Sequence, residues 1–485
     1  MCELSGRRGG CCFGRREFLQ AVGSAAGMTT LLSSGALVAS DAPAECRGKK
    51  RRVPLVRGAF IYPPSEQLRK AGYFSWPGSS FDAEGHQRTY TDQIAQIARD
   101  LQVHIQMDQK PLDGDESVAR FIAEVKHSEP DGLLLVPFKK GHWPKVVRII
   151  EETGIPSVVL ATLGVLLVGH INQLHRRTGV YLISAMDDLK SVREGMAMIR
   201  AARRMKDSLL VRLAGDERRE ARVPHLGTTV RSVPLQQFYQ VYEETPVDEA
   251  VKELAASYHK GAKEIVEPSA KDIVDAARAC FALKRVVEAE GGDAVMMDCL
   301  PGLRKPRKHV PPCMGFMTLR DEGIPAGCQA DLNATLSLML VQELVGLPGF
   351  QQNAAMNTTE NHYFGAHCTA PSKMLGPKGR AEPYILRTHA EAGWGCVPQI
   401  LFKPGQEVTM ALYQSGEQPR MLIYSGKIVR CYPKAPGGCR TNIEMTINEV
   451  DDVCKVQGMH QAIFYGNHAR QLHRFCRLYG IEAVS

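Results

Sequence analysis

The side chains best suited to chemistry crowd into residues 311–376. Pro311-Pro312-Cys313-Met314-Gly315-Phe316 leads to Gly327-Cys328-Gln329-Ala330-Asp331, then to Gly349-Phe350-Gln351-Gln352-Asn353, then to Gly365-Ala366-His367-Cys368-Thr369-Ala370-Pro371. Amides, thiols, a carboxylate and an imidazole set among glycines suit strand ends and helix starts, where open α/β sheets place their ligands. Asp331 is a fitting N-cap for a helix over 332–344, and Gly346 a fitting stop. Taken alone, His367 reads either as a ligand or catalytic group or as a core histidine with its hydrogen bonds satisfied. Other chemistries lack their motifs. No Gly-x-Gly-x-x-Gly or Gly-Lys-Ser/Thr loop supports a nicotinamide or nucleotide triphosphate, and no Gly-x-Ser-x-Gly elbow supports a serine hydrolase. No Cys-x-x-Cys pair offers a zinc or thioredoxin-like spacing. The basic run Leu303–His309 reads as a solvated loop, and 7% aromatic content leaves little for base stacking, so no nucleic-acid partner is expected.

Extended toward the C-terminus, these segments resemble a known family. Gly327–Asp331, Gly349–Asn353, Asn361–Pro371 with Lys373–Pro377, Tyr384–His389, Cys439-Arg440-Thr441, and Gly458-Met459-His460 with Phe464-Tyr465-Gly466 are similar to the L-fucose isomerase/L-arabinose isomerase family, specifically its fucose-isomerase-like branch. The motifs are sharp from Pro311 onward, and the preceding part matches in pattern. The resemblance implies aldose–ketose isomerisation, an intramolecular oxidoreduction. A divalent metal, usually Mn2+, acts as Lewis acid on two adjacent sugar oxygens, and two carboxylates move a proton between carbons through an ene-diol. It also implies a homo-oligomer, trimer or hexamer.

Carried over residue by residue, the metal-binding histidines match His367 and His460. The two carboxylates that serve as metal ligands and as the catalytic acid/base pair fall on Gln329 and Asn353, and a further acid falls on Asn467. Asp331, His389 and Glu391 are expected to bind substrate, and Asp331, Glu360 or Glu391 to supply a substitute base. The acid-to-amide changes matter, because an amide brings a cation only a carbonyl dipole and accepts no proton near neutral pH. Two functions remain open: an isomerase with a degenerate metal site, and a non-catalytic or repurposed periplasmic sugar-binding protein. An assembly subunit of a mixed oligomer is a third.

The elements that must position these groups follow from hydrophobic periodicity. From about residue 53 to 325, short apolar runs (Gly132–Pro137, Ser157–Ala161, Val180–Ser184, Leu209–Leu213, Ala294–Met297) alternate with stretches of helical spacing (Ser117–Lys126, Asp188–Met205, Val247–Ala262, Lys271–Ala289). Such alternation predicts parallel sheets covered by helices. After about 365, short runs between Gly/Pro turns (Pro383–His389, Glu407–Tyr413, Arg420–Tyr424, Lys427–Tyr432, Thr441–Ile447) predict an antiparallel sheet or small barrel, closed by a helix over 468–478. The expected fold is α/β: two Rossmann-like doubly wound domains (53–175 and 176–360, the second carrying the site motifs) and a β-barrel-like domain (361–485).

Of the 485 residues, 44% are hydrophobic and 23% charged, a globular composition that excludes a disordered chain. No apolar run approaches the ~20 residues needed to span a bilayer; Pro156–Ile171 reads as a buried strand and its loop. The net charge is +8, but residues 1–52 account for +5 of it. There Arg15-Arg16-Glu17-Phe18-Leu19, a weakly apolar run over 21–39 and Ala42-Pro43-Ala44 form an export signal of twin-arginine type. Residues 1–44 are therefore expected to be a leader that engages the twin-arginine (Tat) export machinery, with the mature protein periplasmic. Ten of the fourteen cysteines lie between Cys280 and Cys476. An oxidising compartment would permit disulfides among them, whereas buried free thiols are the other reading.

Overall fold

The computed structural model describes residues 38–39, 52–71, 78, 80–162, 165–304, 309–434 and 438–485. Apart from Val38–Ala39, the expected leader lies outside the described residues.

The first unit is a parallel sheet of β1 (Leu55–Ile61), β2 (His104–Met107), β3 (Gly132–Pro137), β4 (Ser157–Thr162) and β5 (Val180–Ala185), in the order β2-β1-β3-β4-β5. β3 and β4 are buried at every position, as central parallel strands between helical layers must be. The helices begin where the sequence supplies caps. Asp82 accepts from the Gly85 N–H at the start of Ala83–Leu101, and Gly154 ends Trp143–Thr153 in the left-handed region.

The second unit holds β6 (Leu209–Leu213), β7 (Arg219–Arg222), β8 (Thr229–Val233), β10 (Ala294–Met297) and β11 (Ala326–Cys328), ordered β7-β8-β6-β10-β11. It is parallel except for β7, against which Val38–Ala39 is laid antiparallel. Ser269 and Asp272 form a reciprocal capping box at the start of the helix Ala270–Glu290. Between these strands, β9 (Ala262–Ile265) leaves to pair with β14 (Tyr384–Arg387), which pairs in turn with β15 (Val397–Ile400).

The third unit is a closed six-stranded antiparallel barrel. Its strands are β12 (Phe350–Asn357), β13 (His362–His367), β16 (Glu407–Gln414), β17 (Arg420–Arg430), β18 (Thr441–Met445) and β19 (His460–Tyr465). They run β16-β19-β12-β13-β18-β17 and back to β16, with β20 (Glu482–Val484) parallel to β17. The fold class is thus the expected one: α/β with parallel sheets and a C-terminal barrel. One helix, Leu332–Val345, ties the units together. It is buried along most of its length, and Leu336, Leu340 and Val341 share a core with Met196 and Ile199 of the first unit's flank and with Tyr413 and Phe464 of the barrel.

The structure differs from the sequence expectations in five places. Past β4, the stretch read as loop becomes a helix, Val168–His175. β5 joins the first sheet, beyond residue 175, and β12 opens the barrel ahead of residue 361. β14 belongs to the small sheet and not to the barrel. Arg420–Tyr424 and Lys427–Tyr432 are one strand, β17, because Gly426 is not a turn but a close approach. A Cβ there would lie 1.8 Å from the Thr446 carbonyl oxygen, so the position requires glycine.

Candidate active site

The site forms where the carboxyl ends of β10 and β11 meet the barrel. Met297 and Cys328 are register partners, so Asp298 and Gln329 follow on neighbouring strands. Gln329 and Ala330 both adopt positive φ, 56° and 49°, a left-handed pair uncommon for non-glycine residues. Two hydrogen bonds hold it: Ala330 N–H to the Met297 carbonyl (3.0 Å) and Asp331 N–H to the Cys328 carbonyl (3.3 Å). The barrel is locked on by Gln351, fully buried, whose amide accepts from the Cys328 N–H (2.9 Å) and donates to its carbonyl (3.0 Å). Asn353, two residues on, shares the face of Gln351 and sits in register between His460 of β19 and Ala366 of β13.

Asp331 does two jobs. Its Oδ1 accepts from the Ala334 N–H (2.8 Å), capping the central helix, and its Oδ2 lies 2.7 Å from Nδ1 of His460. Burial works against the Asp331 carboxylate, but the His460 hydrogen bond and charge outweigh it and hold the carboxyl below its usual range. The His460 ring stands 6.1 Å from that of His367, edge to face. His367 is 2% exposed, and neither ring nitrogen has a hydrogen-bond partner. Burial pushes its pKa down to about 4, so it is neutral near pH 7.

The structure therefore brings Gln329, Asp331, Asn353, His367 and His460 to one place. His389 is buried and contacts Cys368. Burial lowers its basicity and the Cys368 thiolate more than restores it, for a net rise. Glu391 is exposed on the same turn, within charge reach of His367 and His389. Glu360 is exposed in the β12–β13 turn. Asn467 does not join: it follows β19 at the end opposite His460, exposed, and accepts from the Ala469 N–H.

The sequence resemblance implies Mn2+ at these residues. Manganese prefers oxygen donors, with carboxylate charge. Here the oxygens of Gln329 and Asn353 are neutral amides, the Asp331 carboxylate is committed to His460, and His460 has one nitrogen engaged in return. Among the described residues no three His, Cys, Asp or Glu side chains come together to hold an ion. The residues do not fit the manganese centre that the sequence resemblance implies.

Two groups escaped the sequence reading. Asp298 stands beside Gln329, with burial raising its carboxyl above the usual range against the pull of Arg212; its place after an apolar strand was the available signal. Arg320 is 1% exposed, its Nε donating to the Ala326 carbonyl at 2.7 Å. Nothing local in the sequence marks an arginine as buried.

Fold and site together define an α/β protein with a cluster of polar side chains where the second sheet meets the barrel. In sequence the chain is similar to the sulfoquinovose isomerases of Priestia aryabhattai and of Priestia megaterium (strain ATCC 12872 / QMB1551), each 20% identical over 265 residues. The match covers 53% of this chain and 58% of each relative, so the chain spans little more than half the length of the curated proteins it matches. No family model matches the chain. The likeness reaches sugar isomerases in general.

Proposed function

We propose that this chain is a sugar-binding protein of the fucose-isomerase-like branch, its pocket built to hydrogen-bond a polyol and its metal-assisted turnover lost. The supporting observation is the donor set around His460. Gln329 and Asn353 each offer an acceptor and two donors, which suits hydroxyls that both donate and accept. They offer little charge to a cation, while Asp331 holds His460 in one orientation as an acceptor or donor toward the ligand. The twin-arginine leader, periplasmic location and trimeric or hexameric assembly belong to the same proposal.

The test is thermal denaturation of the purified mature protein with a sugar panel that includes L-fucose, L-arabinose and sulfoquinovose, with and without Mn2+. A sugar should raise Tm without metal, and Asn353→Ala should weaken that sugar about tenfold, or ~1.4 kcal/mol. Stoichiometric Mn2+ uptake with ketose formation would overturn the reading.

Asp298 favours a second reading, turnover without the family's metal. A carboxyl raised by burial beside Gln329 suits a general base. Ketose formation would then increase with pH as Asp298 ionises, and Asp298→Asn would abolish it while sugar binding remained.

A further inference from the structure

A cavity of about 310 Å³ lies at the amino end of the second sheet. Small-molecule sites measure roughly 300–1,000 Å³, so there is room for a small ligand. Asp293 and Pro325, which precede β10 and β11, both line it. The candidate site follows the carboxyl ends of the same two strands. The central helix joins the two places: Asp331 caps its start at the candidate site, and Gly346, its C-cap, lines the cavity. At ~1.5 Å per residue, its 14 residues set them about 21 Å apart.

Three helices end at this cavity. Ser208 is the C-cap of the helix Lys190–Asp207, Gly346 that of the central helix, and Gly323 comes just after the helix Cys313–Asp321. A helix carboxyl end carries the negative end of the dipole and favours a cation. The side chains add to this field. Asp293 and Glu343 bring two carboxylates to the wall, against one lining cation, Arg204. Arg204 is partly spent elsewhere. Its Nη2 donates to Gln102 Oε1 (3.1 Å), and its Nε stands 3.9 Å from Glu343 Oε2, too far for a hydrogen bond. Arg200 donates to the Glu343 backbone carbonyl (2.8 Å) and does not line the cavity. Asp293 is fixed in place by the Leu209 N–H, which donates to its Oδ2 (2.8 Å). Met205 and Met339, both buried, supply apolar wall beside the acids.

The cavity provides the room, and the charge of its wall selects the ligand. An anion would meet two carboxylates and three helix carboxyl ends. A hard metal ion wants six or more oxygen ligands, and among the described residues no three His, Cys, Asp or Glu side chains come together to hold one. An organic cation uses both kinds of wall: the acids through charge-assisted hydrogen bonds, and the adaptable methionines through contact with an alkyl chain. We propose that this cavity binds a short alkylammonium compound, with Asp293 and Glu343 accepting from its ammonium groups and its carbon chain lying along Met205 and Met339. A diamine, which offers an ammonium to each carboxylate, is the expected best ligand.

The experiment is calorimetric titration of the full chain with putrescine, with butylamine, and with butanediol as the neutral counterpart. Putrescine should bind, butylamine more weakly and butanediol not at all, and putrescine affinity should fall as salt is raised. Glu343→Gln and Asp293→Asn should each weaken putrescine at least about tenfold, the loss expected for one hydrogen bond to a charged group. Both substitutions keep an acceptor oxygen, and urea denaturation checks that each variant folds. The proposal is overturned if putrescine does not bind the wild type, if butanediol binds as well as putrescine, or if the folded variants bind putrescine as the wild type does. Asn353→Ala, expected to weaken a sugar, should leave putrescine binding unchanged, so this proposal and the sugar-binding reading can each fail without the other.

Discussion

Asp331 shows how much one side chain carries here. As an N-cap it satisfies a helix start, a role worth ~1 kcal/mol; as the partner of His460 it fixes an imidazole at the pocket. The two roles separate by mutation. Asp331→Asn keeps a good capping group and should cost little in urea denaturation. Asp331→Ala should cost about 1–2 kcal/mol more, because the cap is lost and a buried imidazole nitrogen loses its partner. Both variants should weaken sugar binding if His460 is oriented by this bond. The cap was legible in the sequence, since a polar residue before an apolar run with a glycine stop is a local pattern. The bond to His460 was not, because it joins residues 129 apart and depends on the register of β12 against β19. His367 was expected as a ligand; it sits beside His460, but its surroundings keep it neutral and unpartnered. The acid expected after Tyr-Gly was misplaced at Asn467, because a strand separates that turn from the site.

At the scale of elements, the barrel is stitched by a buried carboxylate. Glu444 of β18 is 1% exposed and accepts from Arg430 of β17 (2.6 Å) and Asn357 of β12 (2.9 Å), with Nδ1 of His362 of β13 at 2.9 Å. The Tyr432 hydroxyl donates to it as well. Arg430 chiefly, then Tyr432, His362 and Asn357, overcome desolvation and hold its pKa down to about 2. A carboxyl depressed in the folded state contributes stability that is fully present above its unfolded value of ~4.3 and is lost as pH falls toward ~2. Glu444→Gln should destabilise by about 1–3 kcal/mol at pH 7 and flatten the stability profile between pH ~4.3 and ~2, as read by denaturant titration at several pH values. Gly426→Ala tests the close approach in β17. The added methyl meets backbone, not a movable side chain, so a loss of about 2 kcal/mol or more is expected; a neutral effect would mean that β17 and β18 separate more easily than the register implies. Strand and helix identities in the α/β part were legible because period-2 and period-3.6 patterns are local. The merging of two runs into β17, and the departure of β14 to the small sheet, were not, since a glycine at a contact and a glycine at a turn look alike in sequence.

For the whole molecule, the central helix Leu332–Val345 makes the three units interdependent. Leu340→Ala removes a side chain with 0% exposure from the core shared by all three. It should cost about 2–5 kcal/mol and lower a single cooperative transition without splitting it. Two transitions would show that the units fold separately. The leader proposal makes its own prediction: Arg15→Lys with Arg16→Lys should leave the precursor uncleaved and unexported, as judged by the N-terminal mass of the cell-fraction proteins. The overall plan was legible because the order of patterns, α/β then β, survives without knowledge of any contact. The packing of Cys313 against Cys368 and Cys439 was not, since these cysteines come from distant segments that only the closed barrel brings together. In the proposed function, amides stand in a retained sugar pocket where acids would hold a metal. Its most direct test is calorimetric titration of the mature protein and of a Gln329→Glu, Asn353→Asp double variant with Mn2+ and with sugar. The wild type should bind a sugar with the same affinity with or without Mn2+, and the double variant should gain at least about tenfold in Mn2+ affinity, ~1.4 kcal/mol. Stoichiometric Mn2+ binding by the wild type, or no gain in the double variant, would contradict it.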